Sequence, residues 1–257
     1  MSTQYPNDPS RRDFLEAVTA VTASMSLIGA DAMALATEES KGVSPMPDPI
    51  PAFAPIHQPR ALSFDPAKLD GLSEKLIRSH WENNYGGSVK TLNAVKQRLA
   101  VALADKDTPP FVYDDLKREH LMRTGSVVFH ELYFDNLGGT DAVDAYVRKA
   151  IGESFGDFAT WEAEFRKIGA GLGGGSGWVV AGHNLHTGQI ENYWLADHLH
   201  APAATAPLLV MDMYEHSYQM DYGASATSYI DAFFRNIRWE MVTDRLKRVS
   251  AWKSARS

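Results

Sequence analysis

Apolar side chains recur at helical spacing through the first half of the chain. Between residues 65 and 99 they fall three or four positions apart, together with one histidine, and this spacing predicts an amphipathic helix. The positions are Leu69, Leu72, Leu76, Ile77, His80, Val89, Leu92, Val95 and Leu99. Asp65-Pro66 predicts the start of the helix, because aspartate caps helices and proline suits the first position. Gly86-Gly87 predicts a kink or break, and a second helix is predicted over 117–137, ending at Gly138-Gly139.

The second half of the chain mixes helical spacing with short apolar runs. Its predicted elements are helices at 141–153 and 157–170, strands at 178–182, 189–195 and 207–211, and helices around 214–221 and 226–248. The first two strands are expected to form a hairpin whose turn leaves His183 and His186 in solvent. A helical hairpin followed by helices packed on a small three-stranded antiparallel sheet is an α+β architecture.

The first 36 residues have the composition of an export signal. Ser10-Arg11-Arg12-Asp13-Phe14-Leu15 precedes a mildly apolar stretch that ends in Ala34-Leu35-Ala36, which is the order of a basic region, an apolar region and a small-x-small cleavage site. The paired arginines resemble a bacterial twin-arginine signal, so we expect a periplasmic or exported protein. The alternative is a tail in which these residues are neighbours by chance. A membrane anchor is disfavoured because Asp31 interrupts the apolar run.

These patterns divide the chain into five segments. They are an export signal at 1–36, a proline-rich linker or arm at 37–61, a helical hairpin domain at 62–140, an α+β domain at 141–250, and a tail at 251–257. No membrane association is expected after removal of the signal. With 44% apolar residues in 257, the chain can bury a substantial core.

Composition narrows the chemistry. A formal net charge of −7 argues against nucleic-acid binding, which needs a basic surface. The absence of cysteine excludes disulfides, thiolate metal sites and cysteine nucleophiles. Nine histidines therefore make imidazole and carboxylate the candidate ligands for any metal.

Four residues form a candidate metal site. His80 and His130 lie on the inward stripes of the two early helices, Asp212 ends a predicted core strand, and His216 follows four positions later. A buried carboxylate is costly unless it is paired or bound to a cation, and three imidazoles with one carboxylate suit Fe, Mn or Zn. The alternative is that each histidine is an ordinary core residue and that Asp212 caps a helix.

Several segments resemble the iron/manganese superoxide dismutase family. Asp212-Met213-Tyr214-Glu215-His216 is similar to the family's D-x-W-E-H signature, and His130 with the following ELYFDNL is similar to its H-x-x-x-W-x-x-L segment. Gly175-Ser176-Gly177-Trp178 resembles GSGW, and Asn236-Ile237-Arg238-Trp239-Glu240 resembles VNWE. The resemblance covers roughly residues 62 to 250.

The resemblance implies a function and a set of site residues. It implies dismutation of superoxide to O₂ and H₂O₂ by redox cycling of one Fe or Mn ion per subunit, with Fe slightly favoured, held by His80, His130, Asp212 and His216. By position, His198 takes the outer-sphere role that tunes the metal, and Trp178 lies beside the site. Glu215 is expected to bond a metal-ligating histidine of a second subunit, which favours a homodimer.

The chain departs from the family pattern at the substrate gate. Asn84 stands where the family has a histidine, and Ser88 stands where it has a tyrosine. Gln219 stands at the position of a second family tyrosine, which bonds the same histidine of the partner subunit. Tyr85 could fill part of the gate. Tyr214 and Phe134 replace tryptophans. The altered gate favours the alternative of a metal-binding relative with little turnover, and a third hypothesis is a scaffold whose arm at 37–60 binds a partner.

Overall fold

The computed structural model describes residues 50–254, with side chains to residue 251. The predicted export signal, residues 37–49 of the predicted arm, and residues 255–257 lie outside the described residues. The helices are α1 (Glu74–Ser79), α2 (Gly86–Ala104), α3 (Pro110–Asp135), α4 (Ala145–Phe155), α5 (Phe158–Leu172), α6 (Gln219–Tyr222), α7 (Ala226–Arg235) and α8 (Trp239–Ser254), and the strands are β1 (Trp178–Asn184), β2 (Ile190–Leu195) and β3 (Thr205–Asp212).

The first helix begins later than predicted. Asp65 does cap a turn, with its side chain accepting from the backbone N–H of Ala67, but that turn is a short 3₁₀ helix at Pro66–Lys68. Helix α1 begins at Glu74, where Ser73 Oγ accepts from the N–H of Leu76 at 3.1 Å. The prediction was wrong because several residues can cap a turn, and packing decides which of them precedes a long helix.

A wide turn replaces the predicted kink at Gly86-Gly87. Residues His80–Tyr85 form a π-helical turn between α1 and α2, and the N–H of Gly86 bonds the carbonyl of Trp81, five residues back. The helix therefore continues from Glu74 to Ala104 with one loosened turn. Turns of this kind occur often at functional sites, and this one begins at His80. Helix α3 packs against α2 and completes the hairpin.

The sheet has the order β2-β1-β3 with both pairs antiparallel, which confirms the predicted hairpin and the α+β class. Strand β1 extends further than predicted, to Asn184. His183 is consequently paired with Ile190 on one side and Ala206 on the other, and it is buried. The expectation of a solvated His183 was therefore wrong, because the central strand runs past the apolar residues that mark it in the sequence. His186 is exposed, as predicted.

The closing helix predicted at 226–248 is two helices. Helix α7 ends at Arg235 and α8 begins at Trp239. Asn236 separates them: its side-chain Nδ2 donates to the carbonyls of Asp70 and Ala232, and its Oδ1 accepts from the N–H of Asp70. The side chain thus bonds backbone groups that would otherwise lack partners at the break. The helix predicted around 214–221 is a 3₁₀ turn followed by the single-turn α6.

The core joins the hairpin to the sheet. Buried apolar side chains from the hairpin, the sheet and the closing helices form one continuous cluster. Strand β3 packs against both α3 and α8. Because α3 belongs to the hairpin, β3 lies beside the buried face of the hairpin. The division of 62–250 into two domains stays a prediction. Within residues 50–254, no helix has both the length and the apolar character needed to cross a membrane.

Candidate metal centre

The fold brings together the four residues predicted as ligands. His80 begins the π-helical turn, His130 lies on α3, Asp212 is the last residue of β3, and His216 lies in the 3₁₀ turn that follows. One ligand atom from each residue lies within 4.8 Å of the others. The site therefore lies where the helical hairpin meets the end of the sheet.

One carboxylate oxygen faces all three imidazoles. Oδ2 of Asp212 is 3.1 Å from Nε2 of His80, 3.3 Å from Nε2 of His216 and 3.7 Å from Nε2 of His130. The other oxygen, Oδ1, accepts from the backbone N–H of Tyr214 at 2.8 Å. His80, His130 and Asp212 are buried, whereas the His216 side chain is 25% exposed. His216 is thus the ligand nearest to solvent.

The donor atoms fit a cation. Within the described residues, Nε2 of His80 and Nε2 of His130 are buried and have no hydrogen-bond partner, and the contact of His80 with Asp212 is close without the geometry of a hydrogen bond. Leaving such groups unpaired in the interior costs about 1–3 kcal/mol each. A metal ion bound to the three Nε2 atoms and to Oδ2 would satisfy them together, and this donor set suits Fe or Mn.

Hydrogen bonding to α3 orients His130. Its Nδ1 lies 2.7 Å from the carbonyl oxygen of Ser126, one helical turn earlier. Because a carbonyl only accepts, Nδ1 carries the ring proton and Nε2 presents its lone pair to the site. Ser126 Oγ also lies 3.3 Å from Nδ1 and 2.8 Å from Oγ of Ser88 on α2.

The protonation states are those that a metal requires. Burial, followed by the neighbouring His80, lowers the pKa of His130 to about 3, and burial also lowers the pKa of His80. Burial alone would raise the pKa of Asp212, but its contacts with His216 and His80 hold that pKa below its usual value. At neutral pH His80 and His130 are therefore neutral and Asp212 is ionised, as metal binding requires.

His198 lies beside the four ligands. Nε1 of Trp178 donates to Nδ1 of His198 at 3.0 Å, and the His198 ring stacks on Tyr214 with centroids 4.7 Å apart. The ring centroid lies 5.9 Å from that of His130. An indole N–H can only donate, so Nδ1 accepts and the neutral ring carries its proton on Nε2. Burial lowers the pKa of His198, which favours that neutral form.

Tyr214 packs between His198 and His216. Its ring stacks on His216 at 5.2 Å and on His198 at 4.7 Å. Burial, with the charge of Asp212, raises its pKa to about 12, so it is neutral at physiological pH. The residue that differs from the family signature thus packs against both a predicted ligand and the predicted tuning residue.

Gly125 lets the chain segment of His198 approach α3. A Cβ built on Gly125 would lie 1.9 Å from the carbonyl oxygen of His198, which is far inside any tolerable contact. Gly125 is not among the site residues predicted from the sequence. Its position inside a predicted helix was a sign of its role, because glycine there costs about 1 kcal/mol relative to alanine and is often required by a close packing contact.

The remaining predicted residues are placed differently. Tyr85 is buried, accepts from the backbone N–H of Arg60 at 2.8 Å and donates to Glu131 Oε1 at 3.0 Å. It does not line the cleft that leads to the site, so this placement gives no support to a gate role. Glu215 and Gln219 are exposed, and the contact of Glu215 with a second subunit stays a prediction.

A cleft of about 420 Å³ opens onto the centre. Asn84 and Ser88, the small residues at the predicted gate positions, line it together with Ser126 and His198. Arg123, which the sequence analysis did not single out, lines it as well. It lies seven residues before His130 on α3, and this two-turn spacing places both residues on one helix face.

Comparison with known proteins agrees with this geometry. Residues 143–245 match the model of the family described as iron/manganese superoxide dismutases, C-terminal domain. The chain is 48% identical over 190 residues to a superoxide dismutase [Fe] of Cupriavidus metallidurans, covering 74% of this chain and 96% of that protein. It is 33% identical over 190 residues to a superoxide dismutase [Fe] of Aquifex pyrophilus, covering 71% and 88%. It is 27% identical over 188 residues to a superoxide dismutase [Mn] of Mycolicibacterium smegmatis, covering 72% and 89%.

Fold, site and comparisons define the class as α+β proteins with a mononuclear metal site between a helical hairpin and a small sheet. Within that class, the chain belongs to the iron/manganese superoxide dismutase family.

Proposed function

We propose that this protein is a superoxide dismutase with one Fe or Mn ion per chain, held by His80, His130, Asp212 and His216. The observation that carries the proposal is the set of buried, unpaired Nε2 atoms facing Oδ2 of Asp212. When bound, the metal supplies the one-electron redox chemistry that converts superoxide to O₂ and H₂O₂.

Iron is the favoured metal. The relative at 48% identity is a superoxide dismutase [Fe], and relatives at lower identity include both Fe and Mn proteins. Histidine ligands with one carboxylate accept either metal, so the ligand set itself does not discriminate.

His198 is the residue we assign to tuning the centre. Its Nδ1 is occupied by the indole N–H of Trp178, so Nε2 remains a proton donor beside the cleft that the ring lines. Partners of this kind, next to a metal site, typically change affinity or activity 10- to 100-fold when removed. Tyr214, stacked on the ring, restricts its orientation.

The chain's own residues also admit a small substrate. The cleft is lined at the gate positions by Asn84 and Ser88 instead of larger rings, and His216 is partly exposed at its inner end. His80, His130 and Asp212 are closed to solvent. Superoxide would therefore approach from the His216 side and would not contact the buried ligands from the core.

Reconstitution tests the proposed function. Purified protein is loaded separately with Fe and with Mn, its metal content is determined, and superoxide consumption is followed directly. We expect about one ion per chain and rapid turnover in at least one form. His216→Ala should lose both, whereas His186→Ala, which changes an exposed histidine of the hairpin turn, should retain both. Stoichiometric metal without turnover would instead favour the alternative of a metal-binding relative.

We also propose that the protein is exported. The support is the order of Arg11-Arg12, the apolar stretch and Ala34-Leu35-Ala36 in the sequence. Cell fractionation of the full chain should find the mature protein outside the cytoplasm. Replacing both arginines by lysine should retain it in the cytoplasm, and export of that variant would contradict the proposal.

A homodimer is the proposed assembly. Its support is the family resemblance at Glu215, which is exposed beside the predicted ligand His216. Sedimentation of the purified protein should give twice the chain mass, and Glu215→Ala should shift it toward the monomer. Glu240→Ala, at an exposed position on α8, is the matched control. A monomer at all concentrations would exclude this assembly.

A further inference from the structure

The cleft in front of the metal centre has an unusual distribution of charge. Of the described residues that line it, Arg123 is the only arginine or lysine, and none is an aspartate or glutamate. Amide, hydroxyl and imidazole groups make up most of the remaining lining. The entrance thus carries one fixed positive charge.

This charge stands out against the chain as a whole. The formal net charge is −7, and superoxide is an anion, so the long-range field of the protein opposes the approach of its substrate. Charged clefts change association rates by roughly 10- to 1,000-fold through their local fields. A cation in the lining of the cleft that leads to the metal centre is therefore placed where it can favour the entry of an anion.

Arg123 does not act alone. Its Nε donates to Oε1 of Glu119, one turn earlier on α3, at 2.6 Å, and the two side chains are 31% and 33% exposed. Glu119 does not line the cleft. The positive member of the pair therefore lines the cleft and the negative member does not. The charge of Arg123 also reaches the centre: burial is the largest cause of the lowered pKa of His198, and Arg123 adds to it.

We propose that Arg123 recruits the anionic substrate into the cleft and that Glu119 limits this attraction. The inference rests on the proposed function and assigns a part of it to residues outside the ligand set. Arg123 is a specificity-determining residue for small anions, since it is the one arginine or lysine among the described residues that line the cleft. Its effect is on entry, so it should change the second-order rate constant and leave the bound metal unaltered.

The chain offers a matched control for this pair. Arg166 and Glu162 on α5 form the same contact, Nε to Oε1 at 2.7 Å, with the same side-chain exposures of 31% and 33%. Arg166 lines no part of the cleft at the metal centre. Arg166 differs in that it also bonds Oδ1 of Asp231 at 2.8 Å and packs over the ring of Phe234. Arg166→Gln therefore removes the same charge at a place where steering is not expected.

The experiment uses the metal-loaded protein and measures the rate constant for superoxide loss as ionic strength is raised. At about 10 mM ionic strength the Debye length is about 30 Å, and at 1 M it is about 3 Å. We expect Arg123→Gln to be slower by roughly threefold to tenfold at low ionic strength, and Glu119→Gln to be faster than the parent protein. Both differences should shrink toward parity at high ionic strength. Arg123→Lys should retain most of the rate, and Arg166→Gln should match the parent.

A second readout does not depend on turnover. Azide, a small anion, is titrated into each loaded protein and its dissociation constant is read from the change in the metal's absorption spectrum. Arg123→Gln should weaken azide binding at low ionic strength, and Glu119→Gln should strengthen it. If the loaded parent protein binds azide in this pattern but consumes no superoxide, the proposed dismutase function fails and the role of Arg123 stands.

Two results would overturn the inference. One is an Arg123→Gln variant whose rate constant and azide affinity equal those of Arg166→Gln at every ionic strength. The other is a loss that persists unchanged at 1 M salt, because such a loss would come from altered structure and not from the charge.

Discussion

Arg245 and Asp212 each lie in a cluster of buried polar side chains, and the two clusters are satisfied in different ways. Around Arg245 on α8, the guanidinium donates to Oδ1 of Asn136, to the carbonyl of Leu208 and to that of Leu132, and it lies 3.5 Å from Asp135. Apart from the Nδ2 of Asn136, the buried side-chain groups in this cluster have partners.

The cluster around Asp212 leaves three imidazole nitrogens unpaired, both of His80 and one of His130. The fold provides backbone carbonyls as partners for the buried Arg245. It provides no such partners for these nitrogens of His80 and His130. The difference distinguishes a polar cluster that supports the fold from one that is complete only with a ligand. Asp212→Asn and Arg245→Met should each break one cluster and leave the other intact, and the two later variants test contacts outside both.

The largest effect is expected from Asp212→Asn. The amide keeps the shape of the side chain and removes the only anionic ligand, so the site should lose its metal and superoxide turnover should fall by far more than the roughly 100-fold typical of supporting residues. Metal content and turnover of the purified variant check this. Asp135→Asn, in the Arg245 cluster, is the control and should keep both. Full metal content with undiminished turnover in Asp212→Asn would remove the carboxylate from the ligand set.

Arg245→Met should break the other cluster. It leaves the carbonyls of Leu132 and Leu208 and the side chain of Asn136 without their donor, and losing one partner of a buried charged cluster costs about 3–5 kcal/mol. Denaturant unfolding of the metal-free protein measures the loss of free energy. Turnover per bound metal in the folded fraction should match the parent. A change below about 1 kcal/mol would mean that the cluster contributes little to stability.

Gly125→Ala tests the backbone contact that positions His198 beside the metal centre. The added methyl group collides with the carbonyl of His198, so the segment must move and His198 must leave its bond with Trp178. We expect about a tenfold change in turnover and a shifted reduction potential, with metal content retained. Gly152→Ala on α4, where a Cβ meets nothing within 4 Å and where the residue does not line the cleft, is the matched control. Equal potentials in the two variants would show that His198 does not depend on this contact.

The smallest effect on stability is expected from Thr243→Val, which removes a hydrogen bond near the surface. Thr243 Oγ1 donates to Oδ2 of Asp144 at 2.6 Å, and this bond, with that from the N–H of Val147, lowers the pKa of Asp144 below its ordinary value of 3.8. Thr243→Val should cost about 1 kcal/mol at neutral pH. Because the pKa is lowered in the folded state, the contribution is present above the unfolded pKa and is lost as pH falls through the folded one. Thermal unfolding from pH 7 to pH 2.5 should therefore show the variant and the parent converging in acid, and a constant difference would contradict the assignment.

The sequence predicted the parts of the fold that periodicity determines. The helical stripe carrying His80, the inward position of His130 and the three strands follow from apolar spacing, and these are confirmed. The break between α7 and α8 was missed, because it depends on Asn236 reaching the backbone of Asp70, which is 166 positions away along the chain. The burial of His183 was missed for a similar reason, since it depends on the partners of β1 on both sides.

The residues of the candidate site also fall into those that could be predicted from the sequence and those that could not. The four predicted ligands could be found from residue type, spacing and the family signature. Gly125 and Arg123 could not be assigned in this way, because their roles depend on what lies opposite them: a carbonyl of a distant loop for Gly125, and an otherwise uncharged cleft for Arg123. Local spacing shows which face of a helix a residue occupies, and only the tertiary structure shows what that face meets.

The wide turn at His80–Tyr85 has a consequence for how insertions and deletions act on this chain. Buried residues of the first helix are spaced by four from Leu76 to His80, by five from His80 to Tyr85, and by four again to Val89. Five residues exceed one α-helical turn of 3.6 by more than a third of a turn, and the bond from Gly86 back to Trp81 takes up the excess. Deleting one residue between Trp81 and Asn84 would leave four residues from His80 to Tyr85, which is the spacing of the neighbouring turns and suits a regular α-helix. Ser88 would still face the cleft and Val89 the core, so this segment should tolerate the loss of one residue, whereas an added residue would rotate everything beyond it by about 100° relative to His80.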